Sequence, residues 1–553
     1  MKLTVIGGGS TYTPELADGL GRLAPGVTEL VLVDPDETRL AAVGPVSARI
    51  MRAQGHRARV RWTTSLDDGA DGAGAVLIQL RVGGQAARDR DETWPLDYGR
   101  IGQETTGAGG LAKALRTVPV VLEVAERVRR RAAPGAWIID FTNPVGIVTR
   151  ALLDAGHRAV GLCNVAIGFQ RWFASLLGVS PGEVSLDHAG LNHLTWTRAV
   201  LVDGKDRLPD LLAGHGEEIA GRIGLPLPLL SELGAVPSYY LRYFYAHDAA
   251  AGEQRERPTR AAEVAGLERE LLRMYADPAL DHKPELLSHR GGAFYSEAAV
   301  ALLSSLLGDG QDVQVVNLRN NGTLPFLDDD AVIEVPARIG RDGPVPEAAA
   351  PLAPLLRGLV AHVSAYEELA LDAALRGGRN RVAAALLAHP LVGQYTLAEA
   401  MTDRLLAENA RFLSWALGAV LPWLMPYPRC PRCWLSTAGT VRPTSRSSPL
   451  TARCLPRSAG LAPTRNTTAS MAPCEYSARS SRKRPHRRGS LPTGWSPGIS
   501  RAAWPAPTCP RRRSSSRRRC GAGAGRSPRR WPTTRSPCCA PGSPRPQASR
   551  PGA

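Results

Sequence analysis

The stretch Lys2-Leu-Thr-Val-Ile6 runs directly into Gly7-Gly8-Gly9-Ser10-Thr11-Tyr12 and then Thr13-Pro14-Glu15. It reads as a short apolar strand, a glycine turn and the opening of a helix. Pro14 and Glu15 suit a first helical turn, where a fixed φ and a negative charge are both favourable. Glycines between a strand and a helix let the backbone approach a pyrophosphate, whose charge suits the helix N-terminus. A second apolar run, Leu30–Asp34, ends in an acid placed to accept hydrogen bonds from ribose hydroxyls. The fingerprint is imperfect, because Tyr12 stands where a third glycine would fall. Strand, loop, helix and acid together predict a nicotinamide dinucleotide held by Gly7, Gly9, Ser10 and Asp34. Asp34 favours NAD over NADP, since it would repel a 2′-phosphate. The alternative is a tight glycine turn with no ligand.

Working outward, further apolar runs appear at Val60–Thr63, Ala75–Leu80, Trp137–Phe141 and Val160–Cys163. Between them lie helical periods, such as Val121, Val124, Ala125 and Val128 at i, i+3, i+4 and i+7. This alternation predicts an α/β fold, a doubly wound Rossmann-like parallel sheet, over residues 1–165. Gly7, Asp34, Arg81, Asn143 and Cys163 fall at the carboxyl ends of these runs, where such sheets collect ligands. From Val184 the pattern changes to antiparallel pairs, Val184–Leu191 with Leu194–Val202 and Val313–Asn317 with Val332–Val335. Helices follow and end with Leu397–Trp415. Residues 166–417 are therefore expected to form a second, α+β domain that closes over the first.

Composition divides the chain more sharply. From Tyr427 onward there are 25 arginines, Lys483, a single acid (Glu475) and no aspartate, so the tail carries +25. The whole-chain +17 then leaves residues 1–426 at −8, and the basic balance says nothing about the body. Eight of the nine cysteines lie between Cys430 and Cys539, leaving Cys163 alone in the body. One cysteine gives no internal disulfide framework, which fits a reducing cytoplasm. The N-terminus lacks the apolar stretch of a signal peptide, and no run of about 18 apolar residues suggests a membrane span. Residues 418–553 show neither helix nor strand period and read as a disordered tail rich in Arg, Pro and Ser. Three origins compete: a basic arm for nucleic acid, a zinc module built on Cys430-Pro-Arg-Cys433, and out-of-frame translation of GC-rich DNA. The last is preferred, with a frameshift near residues 417–430, so nucleic acid is not expected as a partner.

The ordered body carries a series of short motifs. They are Ile6-Gly-Gly-Gly-Ser-Thr-Tyr-Thr-Pro-Glu15, Arg81-Val-Gly-Gly84, Gly102-Gln-Glu-Thr105, Asn143-Pro-Val145, Gly161-Leu-Cys-Asn164 and Gly190-Leu-Asn-His193. Tyr239-Tyr-Leu-Arg-Tyr243, Arg260 and Arg290-Gly-Gly-Ala-Phe-Tyr295 continue them in order. This succession resembles glycoside hydrolase family 4 over residues 1 to about 417, and within it the 6-phospho-β-glucosidases. The resemblance implies catalytic NAD⁺ and a divalent metal, most often Mn²⁺. It also implies a redox–elimination–addition route, an exception to two-carboxylate glycosidase chemistry. In that route the sugar is oxidised at C3 and a base takes the C2 proton. The C1 group then leaves, water adds and the sugar is reduced again. Cys163 and His193 match the metal ligands, although a thiolate is softer than Mn²⁺ usually prefers. Tyr240 matches the base, 20 residues before Arg260, and Glu104 a site residue that raises its basicity. Such a base calls for a lowered pKa, to which the metal and Arg260 would contribute. Arg88 and Asn143 match positions that hold the sugar phosphate, and Arg260 a further substrate contact. Asn164 resembles the β-glucosidase branch, where the α branch has Asp. Ala166 departs from the proline common in the β branch. The implied substrate is a phosphorylated disaccharide or aryl β-glucoside, and the implied assembly a dimer or tetramer.

Four other readings remain at this stage. An NAD-dependent 2-hydroxy-acid dehydrogenase would accumulate NADH. Another family-4 glycosidase, a 6-phospho-α-glucosidase or α-galactosidase, would share the mechanism. A nucleic-acid-binding protein would depend on the tail. An NAD sensor without chemistry would tolerate loss of Tyr240 or Cys163.

Overall fold

The computed structural model describes residues 1–23, 26–292, 294–308 and 311–417, and the predicted disordered tail, zinc module and frameshift all lie outside them. The first strands are β1 (Lys2–Ile6), β2 (Glu29–Val33), β3 (Arg59–Thr63), β4 (Ala75–Ile78), β5 (Trp137–Asp140) and β6 (Ala159–Gly161). All six pair in parallel, in the order β3-β2-β1-β4-β5-β6. This is the expected doubly wound arrangement, and its chain reversal lies between β1 and β4. β4 and β5 are buried along their whole length, as near-continuous apolar strands covered on both faces must be. The crossover helices are α1 (Thr13–Leu23), α2 (Glu37–Ala53), α3 (Leu66–Ala70), α4 (Gly84–Thr93), α5 (Gly107–Arg131) and α6 (Val145–Asp154). The helix after β6 is α7 (Val165–Leu177).

The sheet does not end there. β7 (Val184–Leu191), β8 (Leu194–Val202), β9 (Lys205–Asp206), β10 (Val236–Pro237), β11 (Asp312–Arg319), β12 (Val332–Gly340) and β13 (Gly343–Pro346) extend it to thirteen strands among the described residues. Pairing turns antiparallel where Asn317 of β11 meets Gly161 of β6, and again where Glu334 of β12 meets Gly190 of β7. The hairpin β7–β8 and the pair β11–β12 match the sequence expectation in place and direction. Helices α8 (Leu208–Ile223), α9 (Leu227–Leu233), α10 (Arg242–Tyr245), α11 (His247–Glu256), α12 (Arg260–Tyr275) and α13 (Tyr295–Leu307) surround this half. A final group, α14 (Pro354–Arg376), α15 (Arg379–Ala388) and α16 (Tyr395–Asn409), packs back on α5 of the parallel half. One apolar core runs from Leu3 through Trp196 and Ile333 to Leu413. Among the described residues no helix is long and apolar enough to cross a membrane.

Candidate functional site

The glycine loop leaves β1 under tight constraint. Gly7 has φ +86°, and a Cβ there would sit 2.6 Å from the Gln79 carbonyl oxygen, so no larger residue fits. Its N–H donates to the Val33 carbonyl (2.8 Å). The Gly9 N–H donates to Asp34 Oδ2 (3.0 Å), while Asp34 Oδ1 accepts from the Asp36 N–H (3.0 Å). The acid at the end of β2 is thus anchored to the loop it serves. Ser10 Oγ accepts from the Tyr12 N–H (3.2 Å). Tyr12, unexplained by the fingerprint, donates its hydroxyl to the Gly292 carbonyl and meets the Tyr295 ring edge-on at 6.1 Å. Arg290 donates to Thr11 Oγ1 (2.7 Å) and to Glu268 Oε1 (3.0 Å), so α12 and the segment before α13 both reach the loop.

A second cluster surrounds Glu104, in the segment before α5. Lys113 Nζ lies 2.5 Å from its Oε2, Arg88 Nε 3.1 Å from its Oε1, and Arg81 Nη1 pairs with Oε2 as well. Burial opposes the carboxylate charge, but Arg81, Lys113 and Arg88 outweigh it and hold Glu104 well below the usual carboxylate range. Lys113 is pushed down to about 8, by burial first and Arg81 next, against the pull of Glu104. Arg88 is bound through Nε to Glu92 (2.6 Å) as well as Glu104.

The third cluster gathers at the far end of β6. Cys163 is buried at the start of α7, where its sulfur faces the N–H groups of Asn164 and Val165 and the Asn192 side chain. Burial and the nearby Glu334 carboxylate nevertheless push the thiol up. His193 occupies the β7–β8 turn with φ +63°, and its Nδ1 is 3.0 Å from Thr105 Oγ1. Burial lowers its imidazole to about 4, so it stays neutral at physiological pH. Its ring stacks on Tyr240, 3.7 Å between centroids. Tyr240 lies in the 3-10 turn Tyr239–Leu241, capped by Ser238. Its phenol is raised well above 10, by burial first and then by Tyr239, Cys163, Tyr243 and Tyr295. The protein groups alone therefore raise the phenol, and the lowering expected from sequence rests on a bound cation. The physical reason is that the neighbours are buried phenols and a thiol, while Arg260 turns to Glu263 (2.9 Å) and the His289 carbonyl (2.6 Å).

One cavity of about 1180 Å³ joins these clusters. Among the sequence-predicted residues, Gly7, Ser10, Asp34, Arg88, Asn143, Asn164, His193, Tyr240 and Arg260 line it. Gly9, Glu104 and Cys163 do not; they stand behind lining neighbours. Asn143, next to the cis peptide before Pro144, carries a buried Oδ1 with no hydrogen-bond partner. Such an orphaned acceptor suits a donor on a ligand. Among the described residues no three His, Cys, Asp or Glu side chains converge as a metal cage.

Sequence reasoning missed Lys113, Glu92, Glu268 and Glu334, and assigned no chemistry to Arg81 or Arg290. Two signals were present. Lys113 and Arg116 interrupt a small, largely apolar run from Gly107 to Val118, where a solvated cation would be out of place. Arg88 and Glu92 stand at i and i+4, a spacing that pairs charges on a helix. Glu268 and Glu334 had no local signal.

The model of the family 4 glycosyl hydrolases matches residues 2–179, and that of the family's C-terminal domain residues 188–392. The chain belongs to glycosyl hydrolase family 4. Within the family it is 38% identical to a probable 6-phospho-beta-glucosidase of Bacillus subtilis, over 75% of this chain and 97% of that protein. A 6-phospho-beta-glucosidase of Escherichia coli is 34% identical, over 75% of this chain and 96% of its own length. The 6-phospho-beta glucosidase of Thermotoga maritima, solved with manganese, NAD⁺ and glucose-6-phosphate, superposes with a TM-score of 0.71 at 32% identity. That match covers 74% of this chain and 99% of the other. Family 4 membership sets aside the dehydrogenase and sensor readings.

Proposed function

We propose that the chain hydrolyses 6-phospho-β-glucosides, such as cellobiose 6-phosphate, with catalytic NAD⁺ and a divalent metal, Mn²⁺ or another first-row ion. One observation carries the reading. A single cavity is lined by the glycine loop and Asp34 at one end and by Arg88, His193 and Tyr240 at the other. Names of relatives at 33–38% identity agree with it.

The residues fit both groups. The N–H groups of a glycine turn opening α1 and the acid at the end of β2 suit a dinucleotide, and the orphaned Asn143 Oδ1 marks an acceptor awaiting a donor. Cys163 and His193 supply a thiol and a neutral imidazole, two donors of the kind first-row metals take. A thiolate there is disfavoured by burial and by Glu334, so only a cation makes it stable. When bound, NAD⁺ and the metal would supply redox chemistry at C3 and Lewis acidity at the sugar oxygens.

The chain's own residues account for the rest. Arg88 is anchored through Nε, and a guanidinium fork suits a phosphate. Asn143 is assigned with Arg88 to the sugar phosphate and Arg260 to a further substrate contact, and Asn164 beside Cys163 biases the site to the β anomer. Tyr240 is the residue assigned as base: its phenolic oxygen would take the C2 proton once a bound cation favours the phenolate, with its ring held by His193. Glu104 acts through Arg88, Arg81 and Lys113, keeping three cations fixed around the site. We assign residues 1–165 to the cofactor and 166–417 to substrate and metal. A cytoplasmic location and a homo-oligomer, dimer or tetramer, complete the reading; light scattering tests the latter.

The deciding experiment follows a chromogenic aryl 6-phospho-β-glucoside with the full chain under reducing conditions, with and without NAD⁺ and Mn²⁺. Release that needs both, without NADH accumulating, is expected. Cleavage of the α anomer or of an unphosphorylated sugar instead would overturn the substrate. No release from any glycoside would overturn the activity.

A further inference from the structure

Glu92 sits on α4 one turn after Arg88, with its side chain only 8% exposed. Its two oxygens do different things. Oε1 accepts from Arg88 Nε (2.6 Å). Oε2 accepts from the N–H of Ala261 (2.8 Å), the second residue of α12, whose first residue is Arg260. One buried carboxylate therefore joins the two elements that each carry an arginine of the cavity wall. A second stitch runs beside it, from the Thr259 hydroxyl to Asp89 Oδ1, while Thr259 also caps α12 by accepting from the Ala262 N–H (3.0 Å).

The placement has a chemical consequence. A helix N-terminus attracts anions through its unpaired N–H groups. On α12 that role is filled by the carboxylate of Glu92, so an incoming phosphate is left to the guanidinium groups. Arg88, in the cavity wall, is held at Nε by Glu92 and by Glu104, so its fork is anchored by that edge. We propose that Glu92 is a positioning residue that sets the spacing of Arg88 and Arg260 and thereby the preference for a phosphorylated over an unphosphorylated sugar. It touches no reacting atom, and the inference rests on the phosphoglucosidase reading above.

The test uses the full chain carrying Glu92→Gln, with Glu92→Asp as a second variant. Gln keeps one acceptor and loses the charge; Asp keeps the charge and loses reach. Losing one charge-assisted hydrogen bond should raise KM for the aryl 6-phospho-β-glucoside about 10- to 100-fold. The inhibition constant for inorganic phosphate and the calorimetric Kd for glucose 6-phosphate should rise by the same factor. The kcat and the Kd for NAD⁺ should hold, and both variants should fold with a lowered Tm, as loss of a buried ionic partner requires. Unchanged KM and phosphate affinity in a folded variant would overturn the inference. So would kcat, NAD⁺ affinity and KM failing together, or insolubility of both variants, because each is what a merely structural residue would show. A wild-type chain that binds neither glucose 6-phosphate nor phosphate would instead overturn the functional reading, and this inference with it.

Discussion

The imidazole of His193 and the phenol of Tyr240 lie face to face, 3.7 Å between ring centroids and 11° between planes. A candidate metal ligand and a candidate base thus hold one another in place. His193 is also fixed by Thr105, and Tyr240 by the Ser238 cap. Tyr240→Phe keeps the stack and removes only the oxygen, so activity should fall by about 10²- to 10⁴-fold, the scale of general base catalysis. NAD⁺ affinity should stay the same. Steady-state kinetics and calorimetry on the same preparation check both halves, and a fully active Phe variant would remove Tyr240 from the mechanism.

Glu104 and its three cations predict how the protein responds to acid. The folded pKa of Glu104 lies below its unfolded value near 4.5, so its stabilisation is present above that value and is lost as pH falls through the folded one. Lys113→Met takes away one partner of a buried pair and should destabilise the protein by about 3 kcal/mol at neutral pH. It should also move the acid-unfolding midpoint upward, because Glu104 keeps less positive charge around it. Urea titrations at pH 7 and pH 4 measure this. A variant as stable as wild type would mean that Arg81 and Arg88 suffice.

Glu367 predicts a dependence of the opposite sign. It lines a small second cavity with Gly146, Asn192 and Tyr366, and burial pushes its carboxyl up to about 8, opposed only in part by Arg150. The folded protein keeps this proton where the unfolded chain releases it. Its contribution is therefore present below the ordinary value near 4.5 and is lost as pH rises toward 8. Glu367→Gln, which stays neutral, should raise Tm at pH 8 relative to wild type and leave it unchanged near pH 4. Equal Tm values at both pH values would show that Glu367 is ionised in the folded state.

Asp34 predicts the cofactor preference. Its two oxygens hold the Gly9 and Asp36 N–H groups, so it shapes the loop as well as facing the cavity. Asp34→Ser should weaken NAD⁺ binding and, by removing the negative charge, narrow the gap between NAD⁺ and NADP⁺. Calorimetric Kd values for the two nucleotides decide it. A variant with the wild-type ratio would show that discrimination lies elsewhere.

Much of this molecule was determined by sequence alone, and what was determined is local. Four or five apolar residues in a row, glycines after Ile6 and an acid at the end of the next run specify strand, turn and helix within a few positions of one another. Backbone geometry allows little else there, as Gly7 illustrates. The order of the motifs from Ile6 to Tyr295 likewise carried the family, and through it named Tyr240, Cys163 and His193 as candidates. Tertiary structure alone decided which charges meet. Glu92 reaches Ala261 across 169 positions, His193 meets Thr105 across 88, and Tyr12 meets Gly292 across 280. It also set the direction of the Tyr240 shift, which depends on buried phenols and a thiol around the ring. The reason is physical. Propensity and periodicity act over a turn or a strand, whereas desolvation and Coulomb forces depend on distance in space, which only the closed sheet and its covering helices establish.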